Sequence, residues 1–115
     1  YVQADLMRWQ PVNKVDFVIS MEVFYYFKRP DALIAHIAES WLKAGGRLTV
    51  GIDHYFENKP SLNWAEENGI EFMTTLSESE WCQAFAQAGL VEVVSERAFQ
   101  TEEWGGTLIV TGVRS

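Results

Sequence analysis

Val15-Asp16-Phe17-Val18-Ile19-Ser20 is a short, β-branched and almost continuously apolar run. A strand with one wet face alternates apolar and polar residues. A strand covered on both faces need not, and that is the pattern of a parallel sheet. Downstream, Arg29-Pro30-Asp31 opens a helix. Proline suits the first turn, and the Asp31 carboxylate complements the positive end of the helix dipole. Leu33, Ile34, Ile37, Ala38, Trp41 and Leu42 recur at helical spacing and form one apolar stripe. Gly45-Gly46 is expected to stop this helix as a C-cap. Arg47-Leu48-Thr49-Val50-Gly51-Ile52-Asp53 then reads as a second buried strand.

Residues 54–76, which include Asn58-Lys59-Pro60 and Asn68-Gly69, show no strong periodicity. A connection of this length in a compact domain usually serves as a lid or binding loop. Ser77-Glu78-Ser79-Glu80 has the form of a capping box, in which Ser77 accepts from the Glu80 amide while the Glu80 side chain reaches back. Trp81, Ala84, Phe85 and Ala88 give that helix its buried face, and Gly89 closes it. Residues 91–98 and 107–113 are two more strands. The eight residues between them are too few for a helical crossover, so the pair is expected to be antiparallel. Before the first run, residues 1–4 read as the tail of a strand, and Asp5-Leu6 leads into a loop through Pro11. Strand, helix, strand, long loop, helix, strand, strand is the order of an α/β layered sheet with an antiparallel end.

The chain has 115 residues, 48% of them hydrophobic and 22% charged, which suits a single globular domain spanning residues 1–115. Its net charge of −7, with no Lys/Arg cluster, makes a nucleic-acid backbone an unsuitable partner. One cysteine, Cys82, excludes an internal disulfide and a Cys-rich zinc site, and it reads as a small core residue. Two separated histidines and scattered carboxylates show no metal-ligand spacing. Without a signal peptide or a long apolar span, the expected location is the cytoplasm, with no membrane partner.

Three segments, Asp16 to Phe27, Leu42 to Leu48 and Ala86 to Val93, together resemble parts of class I S-adenosylmethionine-dependent methyltransferases. The stretch from Asp16 to Phe27, Asp-Phe-Val-Ile-Ser-Met-Glu-Val-Phe-Tyr-Tyr-Phe, is similar to the family's fourth strand and the loop after it. Leu42-Lys43-Ala44-Gly45-Gly46-Arg47-Leu48 is similar to the Leu-Lys-Pro-Gly-Gly turn before the fifth strand, with Ala44 in place of proline. Ala86-Gln87-Ala88-Gly89-Leu90-Val91-Glu92-Val93 is similar to the Ala-Gly-Phe turn before the sixth. The resemblance implies the C-terminal half of a Rossmann-like sheet, with strands in the order four, five, seven, six and the seventh antiparallel. It also implies S-adenosylmethionine lying across the carboxyl ends of the parallel strands. Gly-x-Gly-x-Gly does not occur in the sequence, and Asp5 already matches the family's position after its third strand. The expectation is therefore a partial methyltransferase domain whose own binding of the cofactor is weak or absent.

The same resemblance nominates site residues. Asp5 would accept from the adenine amine and Leu6 would cover the ring; as plain sequence, Asp5 also reads as a solvated loop residue. Ser20 and Met21 leave the fourth strand where the family's backbone meets the methionine part of the cofactor. Glu22 follows them, either facing substrate or standing at the surface. Tyr25 and Tyr26 occupy positions where relatives often carry histidines near the active site. Tyr25 is assigned to substrate binding, and Tyr26, whose hydroxyl could orient an acceptor, to catalysis. His54 follows the fifth strand and titrates near neutrality, so it is the general-base candidate. Tyr55 and Trp64 are assigned to substrate binding in the long connection. His36, among apolar helix neighbours, reads as packing.

The implied activity is methyl transfer to a small-molecule acceptor, as part of a larger class I methyltransferase. The alternative is a non-catalytic methyltransferase-like domain that self-associates or pairs with a partner. Either way, residues 15–20 would present an unpaired apolar edge. That edge leads to the expectation of a homodimer, or of association with the N-terminal half of such a domain.

Overall fold

The computed structural model describes residues 6–69 and 73–115, so the expectations for residues 1–4 and for Asp5 lie outside the described residues. Strand β1 (Val15–Met21) is followed by a single 3-10 turn, helix α1 (Pro30–Ser40) and strand β2 (Leu42–Ile52). The long connection contains the short helix α2 (Trp64–Glu67). Helix α3 (Glu78–Gln87) and strands β3 (Leu90–Ala98) and β4 (Thr107–Arg114) complete the order. The four strands form one sheet in the order β1-β2-β4-β3. β1 and β2 run parallel, and β4 runs antiparallel to both β2 and β3. This is the mixed sheet that the sequence pattern and the resemblance both imply.

One boundary differs from the sequence reading. α1 ends at Ser40, where the Trp41 amide closes the last turn on Ile37, and β2 begins at Leu42. Gly45-Gly46 therefore lies inside β2 and does not cap the helix. The reason is a bulge: Val15 pairs with Leu42 but Phe17 pairs with Arg47, so β2 carries three extra residues there. Gly45 takes a positive φ of 82° at the bulge. A Cβ on Gly46 would stand 2.9 Å from the Lys43 carbonyl oxygen and 3.2 Å from that of Asp16. Only glycine admits the backbone contacts that fold the extra residues out of the ladder.

Leu48, Val50 and Ile52 of β2 and Leu108 and Val110 of β4 share one face of the sheet and are buried. Leu33, Ile34 and Ile37 of α1 and Trp81, Ala84 and Phe85 of α3 cover them. The capping box holds as read: the Glu80 amide donates to the Ser77 hydroxyl at 3.1 Å, and the Ser77 amide donates to the Glu80 carboxylate at 3.0 Å. Losing such a cap costs about 1 kcal/mol. Upstream of the sheet, the Trp9 carbonyl accepts from His36 Nε2 at 2.6 Å and from Trp41 Nε1 at 2.8 Å. His36 thus ties the incoming chain to α1.

The opposite face of the sheet has no helix over it among the described residues. Phe17, Ile19 and Met21 point there beside Arg47, Thr49 and Gly51 of β2. Phe17 is 53% and Ile19 62% exposed, values of surface residues on a strand whose composition is that of a core strand. β1 is also an edge strand of the described sheet, with β3 at the other edge. No helix among the described residues is long and apolar enough to cross a membrane.

Candidate active site

Because β1 and β2 are parallel, their carboxyl ends lie at the same end of the sheet, and the segments leaving them are neighbours. Met21 pairs with Gly51, and the Met21 thioether lies where a side chain on Gly51 would stand. Ser20 is half-buried and Met21 is exposed. Leu6, half-buried, packs against the core.

Glu22 follows with a positive φ of 63°. One of its carboxylate oxygens accepts from the Tyr25 hydroxyl at 2.7 Å and from the Asp53 amide at 3.1 Å. Burial pushes the Glu22 carboxyl above its ordinary value, and the neighbouring Asp53 charge acts in the same direction. Burial, and then the bond to Glu22, push the Tyr25 phenol far above its own. Asp53 in turn accepts from the Thr107 hydroxyl at 2.6 Å, and its carbonyl accepts from the Asn58 amide at 2.7 Å.

The aromatic candidates form a file. Ring centres are 4.7 Å apart for Tyr26–Tyr25, 5.6 Å for Tyr25–His54 and 6.4 Å for His54–Trp64. Trp64 then stacks on Trp104 at 5.8 Å. Tyr26 is 47% exposed, whereas Tyr25 and His54 are buried. Tyr55 stands apart, fully buried, with its hydroxyl donating to the carbonyls of Gly105 and Gly106. A Cβ on Gly105 would lie 2.9 Å from that hydroxyl, so the β3–β4 connection needs glycine to close over Tyr55.

His54 is held at both nitrogens. Nδ1 lies 2.9 Å from the Ser61 carbonyl, which can only accept, so Nδ1 carries the proton and donates. Nε2, 2.7 Å from the Thr75 hydroxyl, is therefore the acceptor of that O–H. The imidazole links two parts of the long connection that lie 14 positions apart.

Sequence reasoning missed three members of this arrangement. Asn58, fully buried, bridges Asp53 to the Gly105 amide, yet in sequence it is a loop asparagine beside proline. Thr75 and Trp104 carried no signal at all. Glu22 stood in the right place, but nothing in the sequence revealed its two donors. Among the described residues no group of three or more His, Cys, Asp or Glu side chains is placed to hold a metal ion.

No protein-family model matches the sequence. Over 65 residues the chain is 34% identical to malonyl-[acyl-carrier protein] O-methyltransferase 2 of Ilyobacter polytropus, a match covering 54% of this chain and 25% of that protein. A chain of the Haloferax volcanii complex between a methyltransferase and its activator protein superposes with a TM-score of 0.79 at 30% identity, covering 96% of this chain and 59% of that one. This is the class I methyltransferase fold. An S-adenosylmethionine-dependent methyltransferase of Thermotoga maritima shares it at a TM-score of 0.80 and 17% identity, with 99% of this chain and 63% of that one covered. The chain thus spans about a quarter of the curated relative and about three-fifths of these two methyltransferase structures.

The burial of His54 has a consequence for pH. Desolvation pushes its pKa below the ordinary 6.5, opposed in part by the Ser61 bond. The unfolded chain therefore binds the proton more readily than the folded one. Above about pH 6.5 both states are neutral and the full contribution to stability is present; as pH falls through that value the unfolded state protonates and stability is lost. Urea unfolding should show a larger drop between neutral pH and about pH 5.5 for wild type than for His54→Gln. An equal drop in the two proteins would mean that His54 is not the buried, neutral strut described.

Proposed function

We propose that this chain forms part of an S-adenosylmethionine-dependent methyltransferase acting on a small-molecule acceptor. The observation that carries the reading is the convergence, at the carboxyl ends of two parallel strands, of Ser20, Met21, Glu22, Tyr25, Tyr26, Asp53 and His54 on the class I fold. Open α/β sheets bind ligands at that end.

The described residues fit one side of such a cofactor. Exposed Met21 and half-buried Leu6 offer apolar contact, and half-buried Ser20 a polar backbone and hydroxyl. When bound, S-adenosylmethionine supplies an electrophilic methyl group on a sulfonium. Met21 and Ser20 would flank it, with Asp5 and Leu6 at the adenine. Tyr26, whose ring is exposed, would orient the acceptor, and its face suits a cation. Tyr25 and Trp64 would shape the wall behind it, and Tyr55, buried apart from them, would support the β3–β4 connection. Alignment and exclusion of water are what a transfer of this kind asks of a protein. His54 can take an acceptor's proton only after the Thr75 hydroxyl turns away, so an acceptor that arrives deprotonated suits this site best.

In a longer protein that carries the complete domain, Asp5→Ala should weaken binding of S-adenosylhomocysteine by about 1–3 kcal/mol in calorimetry, the order expected for losing a hydrogen bond to a charged group. The isolated 115-residue chain should bind it weakly or not at all. Submicromolar affinity of the isolated chain, unchanged by Asp5→Ala, would place the cofactor elsewhere.

Among the described residues, the apolar face of β1 is uncovered and its outer edge unpaired, which favours association with a further chain or domain segment, either a second copy or the N-terminal half of a methyltransferase domain. The same surface supports a second reading, a non-catalytic domain that works by pairing. Light scattering at micromolar concentration should report twice the 13.2 kDa chain mass. A monomer whose β1 amides exchange freely with solvent would contradict self-association.

A further inference from the structure

Glu22 sits where a glutamate is costly on three counts. Its φ of 63° lies in the left-handed region, where Cβ crowds the following carbonyl and which glycine or asparagine occupies more readily. Its carboxylate is half-buried, and a second carboxylate, Asp53, is its neighbour. Glycine would relieve the backbone, and alanine would relieve both the burial and the repulsion. Neither could do what the side chain does. A single carboxylate oxygen receives the Tyr25 hydroxyl from the segment leaving β1 and the Asp53 amide from the segment leaving β2. The Glu22 amide completes the link by donating to the Gly51 carbonyl at 2.9 Å.

We infer that Glu22 is a positioning residue, a clamp that fixes the two segments leaving the parallel strands at one separation and so sets the file of rings built on Tyr25. Strain retained at one position, in a site where the surrounding bonds over-determine it, is the usual mark of such a role. Glu22 acts through its neighbours: the Tyr25 ring is held by its hydroxyl and in turn packs on Tyr26 and His54. Asp53, fixed at its amide by Glu22, is fixed at its carboxylate by Thr107 of β4. One oxygen at the end of β1 is thereby linked to the segment leaving β2 and, by way of Asp53, to Thr107 of β4. The clamp requires an acceptor oxygen at that point and not a charge, because both partners are donors. The functional half of this inference rests on the proposal that the methyl donor and acceptor meet at this end of the sheet.

The clamp can be tested on the chain itself by amide exchange in Glu22→Ala, Glu22→Gly and Glu22→Gln. In the Ala and Gly variants the Asp53 amide should exchange roughly tenfold or more faster, the order expected for losing a hydrogen bond to a charged group, while the central β4 amides keep their protection. Glu22→Gln keeps the acceptor oxygen and should restore Asp53 protection. Glu22→Gly also removes the backbone strain, so its thermal midpoint should not fall below that of Glu22→Ala even though its clamp is lost. The second readout is affinity for S-adenosylhomocysteine by NMR titration, which should fall in the Ala and Gly variants and recover in Gln. Unchanged Asp53 exchange in Glu22→Ala would overturn the clamp. Faster exchange with unchanged affinity would overturn the positioning role while leaving the methyltransferase reading intact. If wild type shows no affinity, which a partial methyltransferase domain allows, the positioning role fails for this chain on its own; Asp53 exchange then still decides whether the clamp exists.

Discussion

The ladder between β1 and β2 is the constraint on which the rest of the structure depends. β2 is the strand with a parallel partner on one side and an antiparallel one on the other, and its Leu48, Val50 and Ile52 are fully buried under the helices. Parallel pairing puts the ends of β1 and β2 side by side, which brings residues as far apart in sequence as Glu22 and Asp53 within hydrogen-bond distance. Slipping this register by one residue would turn Leu48, Val50 and Ile52 away from the helices, so the burial of those side chains fixes the geometry of the site as firmly as it fixes the fold.

Beyond the strand ends, the site is held by polar cross-links with few alternatives. Asn58 joins Asp53 to Gly105, Tyr55 closes on Gly105 and Gly106, and His54 ties Ser61 to Thr75. Each places a buried polar group against partners that satisfy it, as a dry interior demands. The long connection between β2 and α3 is therefore an ordered wall along much of its length. The Trp64–Trp104 stack carries that wall across to the β3–β4 connection.

Fold was more legible in the sequence than site, for physical reasons. Val15 to Ile19 announced a strand by composition, though among the described residues only one of its faces is covered, and Ser77 with Glu80 announced a helix start by local chemistry; both signals are short-range. The Gly45-Gly46 pair misled because glycine serves a helix C-cap and a bulge equally well, and the choice was made by the carbonyls of Val15 and Asp16 on the neighbouring strand. Glu22, Asn58 and Thr75 take their roles from partners 31, 47 and 21 positions away, and no local pattern encodes such distances. His54 was found by its position after β2, but its engagement at both nitrogens appears only in three dimensions.

The central claim is that the carboxyl ends of β1 and β2 form one wall of a methyl-donor site. Amide chemical shifts of the 115-residue chain titrated with S-adenosylhomocysteine test it most directly. The account predicts perturbations concentrated at Leu6, Ser20 to Val23 and Gly51 to Tyr55, even where binding is weak. Perturbations confined to the groove between Lys28, Asp31, Glu80 and Gln87 beside α3 would contradict it.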